Sequence, residues 1–292
     1  MRISDIQRFC MHDGPGVRTT VFFKGCPMKC AWCHNPELKR AKRELLFYST
    51  KCIGCGICAS CKNGVHVFSG LHKIARELCT ACGECAANCP SDALTVSGRE
   101  MTADEIFAEV MKDAAFYGDT GGVTVSGGEP LMQPDGVKEL LRICKNAGIS
   151  TAIETSGCFD TEILRDIVPL CDLFLWDVKD TDSERHLKYT GKDNRLILEN
   201  LYMADSLGAK TRLRCILVNE VNTNETHYEK VADIACELQG CEGVEFLPYH
   251  PYGTSKNNAL GIDDCGCNEW IPSSQTIADA KEHMRKRDVN LF

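Results

Sequence analysis

Six strand-like runs separated by helix-like ones leave this chain few choices of fold. The runs cover residues 19–23, 123–126, 150–154, 173–179, 211–218 and 243–248. Between and after them the apolar residues fall at helical spacing: a segment opened by the capping box Thr102-x-x-Glu105, then 136–147 ended by Gly148, 161–167, 194–207, a helix capped by Asn224 and running to Leu238, and 276–287. Alternation of this kind predicts parallel β/α units in an α/β fold. About six units predict an incomplete barrel rather than a closed eight-fold one. In such barrels the reactive groups sit where the strands end. Polar residues gather at all six ends: Cys26; Gly127-Gly128-Glu129-Pro130; Glu154-Thr155-Ser156-Gly157; Asp177-Val178-Lys179; Asn219 and Asn222; and Tyr249-His250. Met1 to Cys10 reads as a lead-in edge strand.

Twenty of the 292 residues are cysteine. The first strand delivers Cys26-Pro-Met-Lys-Cys30-Ala-Trp-Cys33, three thiolates at spacings of four and then three. Iron–sulfur clusters are usually held by four thiolates. Three on one loop leave an iron without a protein ligand, open to a substrate in the way that the fourth position of a catalytic zinc is open. The other reading of the loop is a zinc knuckle with His34 as fourth ligand. That needs a second, distant cysteine pair, and none remains once the other runs are assigned.

Residues 48–98 differ in composition. Cys52-x2-Cys55-x2-Cys58-x2-Cys61 precedes Cys79-x2-Cys82-x2-Cys85-x3-Cys89-Pro90. The second run matches the bacterial ferredoxin pattern throughout, and in two-cluster ferredoxins the fourth cysteine of each run ligates the other cluster. This assigns Cys52, Cys55, Cys58 and Cys89 to one [4Fe-4S] cluster and Cys79, Cys82, Cys85 and Cys61 to a second. The first run departs from the pattern in its last gap and in Lys62, which stands where proline is expected, so Cys61 carries the least support. A zinc-binding insert is the alternative. Either way a region with so small a core depends on its metals. The expected organisation is a partial (β/α)6 TIM-like barrel made of residues 1–47 and 99–292, with an inserted bacterial ferredoxin-like α+β domain at 48–98. Cys10, Cys144, Cys158, Cys171, Cys215, Cys236 and Cys241 are scattered and read as small buried hydrophobes. Cys265-Gly-Cys267 is a closer pair on a late loop and is not assigned.

A net charge of −8 argues against nucleic acid as a partner. The basic run 281–287 contains an acid and reads as the solvated last turn of a helix. No signal peptide and no apolar stretch of membrane-spanning length is apparent. Cysteines bunched in C-x2-C runs suit metal rather than disulfides, so the expected setting is a reduced cytoplasm.

The C-x3-C-x2-C loop resembles the signature of the radical S-adenosylmethionine (SAM) enzymes. Its flanks, His12-Asp-Gly-Pro-Gly-Val-Arg18, Phe22-Phe-Lys-Gly-Cys-Pro27 and Trp32-Cys-His-Asn-Pro-Glu37, resemble the activating enzymes of glycyl radical enzymes. The resemblance implies an oxidoreductase in which a cluster on Cys26, Cys30 and Cys33 binds SAM at its open iron. One electron then cleaves the sulfonium, and the 5′-deoxyadenosyl radical takes a Cα hydrogen from the C-terminal glycine loop of a partner enzyme. It implies further that Gly127, Gly128 and Glu129 hold the cofactor's amino group. Asp177, Val178, Lys179 and His250 would line the site, with Trp32, Cys33 and His34 against it. Glu154 and Thr155, with Asp177, resemble a site for a monovalent cation, although the best-known members carry a shorter Asp at the Glu154 position. The two insert clusters would relay electrons from a low-potential donor such as flavodoxin or ferredoxin. Two other functions stay open at this level: a radical SAM enzyme acting on a small molecule, and a ferredoxin-like electron carrier. The sequence does not name the partner.

Overall fold

The computed structural model describes residues 1–264 and 266–292. Its strands are β1 Arg2–Cys10, β2 Arg18–Phe23, β3 Glu44–Phe47, β4 His66–Ser69, β5 Leu71–Ile74, β6 Leu94–Ser97, β7 Arg99–Glu100, β8 Gly122–Gly127, β9 Ser150–Thr155, β10 Leu173–Asp177, β11 Thr211–Leu217 and β12 Cys241–Pro248. Its helices are α1 Glu84–Ala87, α2 Ala103–Met111, α3 Pro134–Asn146, α4 Leu164–Ile167, α5 Ser183–Thr190, α6 Arg195–Ser206, α7 Glu225–Glu237, α8 Thr254–Ala259 and α9 Ser274–Arg285.

Eight strands form the central sheet in the order β12-β11-β10-β9-β8-β2-β1-β7. The six strands read from the sequence, β2 and β8 to β12, are parallel neighbours. Buried on both faces, they are nearly continuous apolar runs: Val123, Val125, Ile153, Phe174, Trp176, Leu213 and Cys215 are all closed to solvent. The helices lay one apolar stripe each on this sheet, with Val137, Leu140, Leu141 and Cys144 of α3, Leu201 and Ala204 of α6, and Val231 and Ala232 of α7 in the same core. The result is an α/β fold with a mostly parallel central sheet. The capping box at Thr102 is formed, with Glu105 N donating to Thr102 Oγ1 and Thr102 N to Glu105 Oε2.

Three expectations change. β1 pairs antiparallel with β2 but is not the edge, because β7 adds outside it, held by Arg2 Nε donating to Glu100 Oε1 at 2.7 Å. The helix expected at 161–167 is a 3-10 turn followed by the single turn of α4. Helix α5 was not expected: its residues are mostly polar, and the signals that fix it are the Asp182 cap, accepting from Arg185 N at 2.8 Å, and Gly191 at φ +77°.

Between β2 and β7 lies a thinner unit. β3 and β6 pair antiparallel, Glu44 opposite Ser97 to Phe47 opposite Leu94, and β4 and β5 form a hairpin. The core is Leu45, Phe47, Val65, Ala93 and Leu94, packed against Cys52, Cys58, Cys61, Cys79, Cys85 and Cys89. Leu45 and Phe47 come from β3, just ahead of residue 48. It is tied to the barrel by Lys24, whose Nζ reaches Ser97 Oγ at 3.1 Å and Glu44 at 3.6 Å, and by Arg76 Nη1 donating to Leu45 O at 2.8 Å while Nη2 donates to Ala259 O. Of the scattered cysteines, Cys144, Cys158, Cys171 and Cys215 are buried, Cys10 and Cys241 are half-buried, and Cys236 is exposed. The reading of the Cys265 pair lies outside the described residues. Among the described residues no helix is long and apolar enough to cross a membrane.

Candidate active site and cluster centres

The C-terminal ends of the parallel strands open into one cavity of about 1020 Å³. Of the residues expected at the site, Cys26, Cys30, Trp32, Cys33, His34, Gly127, Gly128, Glu154, Asp177, Lys179 and His250 stand on its wall. The cysteine loop is held from two sides. Gly25 N and Cys26 N donate to Leu38 O and Lys39 O at 2.8 and 3.0 Å, and Lys29 N and Ala31 N donate to Thr190 O and Tyr189 O, at the end of α5, at 2.7 and 2.9 Å. Trp32, Tyr189, Tyr249 and Trp270 pack edge-on or tilted behind the loop, with ring centroids 5.8 to 6.4 Å apart. Burial pushes all three thiols up, Cys30 to about 11. Iron binding there must therefore displace protons. Trp32 Nε1, a donor, and His34 Nε2, a donor or acceptor by tautomer, are buried on this wall without a hydrogen-bond partner among the described residues, and buried polar groups of this kind call for a partner from outside the chain.

The two glycines after β8 have a reason in the chain itself. A Cβ on Gly127, at φ +121°, would sit 2.4 Å from Phe23 N and O, and one on Gly128 2.3 Å from Gly25 O. Gly128 N donates to Phe23 O and Glu129 N to Gly25 O, at 2.9 and 2.8 Å. The close approach that glycine permits is thus first to the cysteine loop, which lies directly against the β8 turn.

Three expected site residues are not on the cavity wall. Glu129 is fully buried beneath it, accepting from Thr155 Oγ1 at 2.9 Å, Ser156 N at 2.9 Å, Ser156 Oγ at 2.7 Å and Leu131 N at 3.2 Å. Burial pushes its carboxyl up to about 7 against those donors. Its work is to clamp the end of β8 to the end of β9. Thr155 is spent on Glu129, and Val178 is packed in the core.

Lys179 Nζ donates to Asp177 Oδ2 at 2.7 Å. Burial alone would depress this ammonium, but Asp177, Cys30 and Glu154 outweigh it and hold Lys179 above its ordinary range. Lys179 is therefore a fixed cation beside the cysteine loop. Glu154 has both oxygens engaged, Oε1 by Arg214 Nη1 at 2.8 Å and Oε2 by Ser126 Oγ at 2.5 Å. Of the residues read as a cation site, Glu154 and Thr155 Oγ1 are engaged and Asp177 Oδ2 is paired with Lys179; the longer Glu side chain reaches Arg214. Asn219 and Asn222 are structural, Asn222 bracing the loop after β11 through Val218 N and Lys179 O.

In the thinner unit the thiols fall into two groups. Burial pushes the Cys58 and Cys85 thiols up, with Cys52, Cys55 and Cys89 close to the first and Cys79, Cys61 and Cys82 close to the second adding to it. Cys61, Cys79, Cys82 and Cys85 also share a small cavity with Leu45, Val65 and Ala81. Sequence reasoning missed His72, whose Nδ1 lies 3.3 Å from Cys52 Sγ and whose ring stacks on Phe68. Cys58, His66 and His72 come within ligating distance of one another. It also missed Ser126, Asp13 and Arg214 on the cavity wall. Arg214 had a signal, a charged residue inside an apolar strand.

Residues 20–231 match the Radical SAM superfamily. The choline trimethylamine-lyase activating enzyme of Oleidesulfovibrio alaskensis is 41% identical over 268 residues, spanning 89% of this chain and 86% of that one. The trans-4-hydroxy-L-proline dehydratase activating enzyme of Clostridioides difficile is 36% identical over 294 residues, spanning 99% and 97%. Among solved structures, a domain of pyruvate-formate lyase-activating enzyme from Bacteroides vulgatus is similar with a TM-score of 0.50 and 26% identity, covering 59% of this chain and 98% of that one. The chain belongs to the radical SAM superfamily and, within it, to the activating enzymes of glycyl radical enzymes.

Proposed function

We propose that the protein cleaves SAM at Cys26, Cys30 and Cys33 and uses the resulting radical to activate a glycyl radical enzyme. The chemistry supplied by a [4Fe-4S] cluster held there is one-electron cleavage of the sulfonium to methionine and a 5′-deoxyadenosyl radical, which takes a Cα hydrogen from a glycine of the partner and becomes 5′-deoxyadenosine. The observation that carries this reading is the convergence of the three thiols, the Gly127–Gly128 turn and Lys179 on one cavity. Lys179, kept charged by Asp177, provides a cation for a carboxylate. Trp32, His34 and His250 flank the space beside it. The clamp through Glu129 fixes β8 against β9, and the aromatic layer behind the loop keeps bulk water from the thiols. No acid or base on the protein is required, because a hydrogen atom rather than a proton is transferred.

In the same reading, residues 48–98 form a ferredoxin-like insert, with clusters on Cys52, Cys55, Cys58 and Cys89 and on Cys61, Cys79, Cys82 and Cys85, passing electrons from flavodoxin or ferredoxin in the cytoplasm. The thiol groupings support it. The partner is an enzyme of the kind the relatives activate, and choline trimethylamine-lyase and hydroxyproline dehydratase head the screen. A ferredoxin-like carrier would have no use for the Lys179–Asp177 wall.

The test is anaerobic. The iron-loaded, reduced protein is given SAM and 5′-deoxyadenosine is measured, then candidate partners are screened for a glycyl radical by electron paramagnetic resonance. Cys30→Ala is expected to make no 5′-deoxyadenosine while the insert keeps its iron. Cleavage at the wild-type rate by that variant would overturn the assignment.

A further inference from the structure

Arg214 sits in the middle of β11 with its side chain 5% exposed. Register puts it opposite Asp177 of β10 and Glu245 of β12, so three neighbouring strands place two carboxylates and one guanidinium in a row across the floor of the cavity. A third carboxylate comes from β9: Arg214 Nη1 donates to Glu154 Oε1 at 2.8 Å, while Nε lies 3.0 Å from Glu245 Oε2 and Nη2 donates to His12 O at 3.3 Å. Asp13 adds a further negative charge nearby. Carboxylates crowded together and half-withdrawn from water in this way favour cations at hand. Lys179 serves Asp177, and Arg214 serves Glu154 and Glu245.

A bound alkali-metal ion needs several oxygen ligands at once. Most of the oxygens on the side chains that would offer them are already taken, Asp177 Oδ1 alone having no partner among the described residues. Glu154 is held by Arg214 and Ser126, Thr155 Oγ1 by Glu129, and Asp177 Oδ2 by Lys179. We propose that Arg214 is the resident cation of this site, fixing Glu154 and the floor beside the cofactor so that cofactor binding and cleavage need no Na⁺ or K⁺. The inference rests on the reading of the cavity as the SAM site. Arginine suits the task because its planar fork serves two carboxylates at once and stays charged when buried.

The experiment measures SAM affinity and 5′-deoxyadenosine formation by the iron-loaded enzyme while K⁺ replaces tetramethylammonium at constant ionic strength. The wild type is expected to stay flat to within about twofold, where an ion coupled to cofactor binding would change affinity about 5- to 150-fold. Arg214→Met, which leaves the half-buried Glu154 and Glu245 without their cation, is expected to lose affinity about tenfold or more and to regain part of it with K⁺. Arg214→Lys, which keeps the charge but not the fork, should fall between the two. A saturable K⁺ requirement in the wild type overturns the proposal alone and needs no variant to fold. Folded Arg214→Met with wild-type affinity and no response to K⁺ also overturns it alone. An iron-loaded wild type that binds no SAM under any cation overturns the cofactor reading, and this proposal with it.

Discussion

The barrel and the cysteine-rich unit are stabilised by different means. The barrel buries whole side chains such as Phe23, Phe174 and Trp176 between a two-sided sheet and its helices. The core cluster of the cysteine-rich unit is five buried apolar residues, two of them contributed by β3, packed on the unit's own thiols. Ile53, Leu71 and Leu78 there lie open to solvent. An apolar core persists without a ligand, whereas a site whose ligands are most of the core folds with its metal. The first region can therefore hold a precise cavity by its own packing.

Removing iron should show the largest difference. By amide hydrogen exchange, the iron-free protein is expected to lose protection across residues 48–98 and to keep it in β8 to β11. Equal protection of both regions without iron would break the comparison. The next effect belongs to the barrel: Trp176→Ala should cost about 3–5 kcal/mol in denaturant unfolding of the barrel, with iron content unchanged. A loss of less than about 1 kcal/mol would mean that the sheet core is not what holds the barrel together.

The same contrast explains what the sequence made legible. The six parallel strands were readable because a strand buried on both faces must be apolar along its length, and the ends followed because polar residues break those runs. The cysteine runs were visible as spacing, and the assignment of thiols to clusters is a reading of that spacing. Less legible was anything set by register across strands. Arg214 meets Glu245 only because β11 and β12 align as they do, and Glu129 points under the cavity rather than into it because Thr155 and Ser156 of the neighbouring strand end receive it. Helix α5 escaped because its apolar face is short and its caps do the specifying. The contact of Glu154 with Arg214 was equally hidden, because it depends on the extra methylene of Glu154 and on the register of β9 to β11.

The smallest predicted effect separates the acid sensitivity of the barrel from that of the clusters. His227, on α7, is closed to solvent, and Thr181 N donates to its Nδ1 at 3.2 Å. A ring that accepts a backbone hydrogen bond at one nitrogen is neutral there, and protonation would break that bond. Burial pulls its pKa from 6.5 down to about 4, with Asp180 opposing and Arg185 and Lys230 adding to the shift. The unfolded chain therefore binds the proton first as pH falls. The contribution of His227 is fully present above about pH 6.5 and is lost at about 1.4 kcal/mol per pH unit on the way down, to roughly 3 kcal/mol below pH 4. His227→Asn keeps an acceptor for Thr181 N and has nothing to protonate. In anaerobic denaturation between pH 6.5 and 5.5, the variant should be flatter than the wild type by about 1 kcal/mol. Cluster loss in acid is common to both proteins and cancels in the difference, so identical slopes would show that His227 does not set the barrel's response to acid.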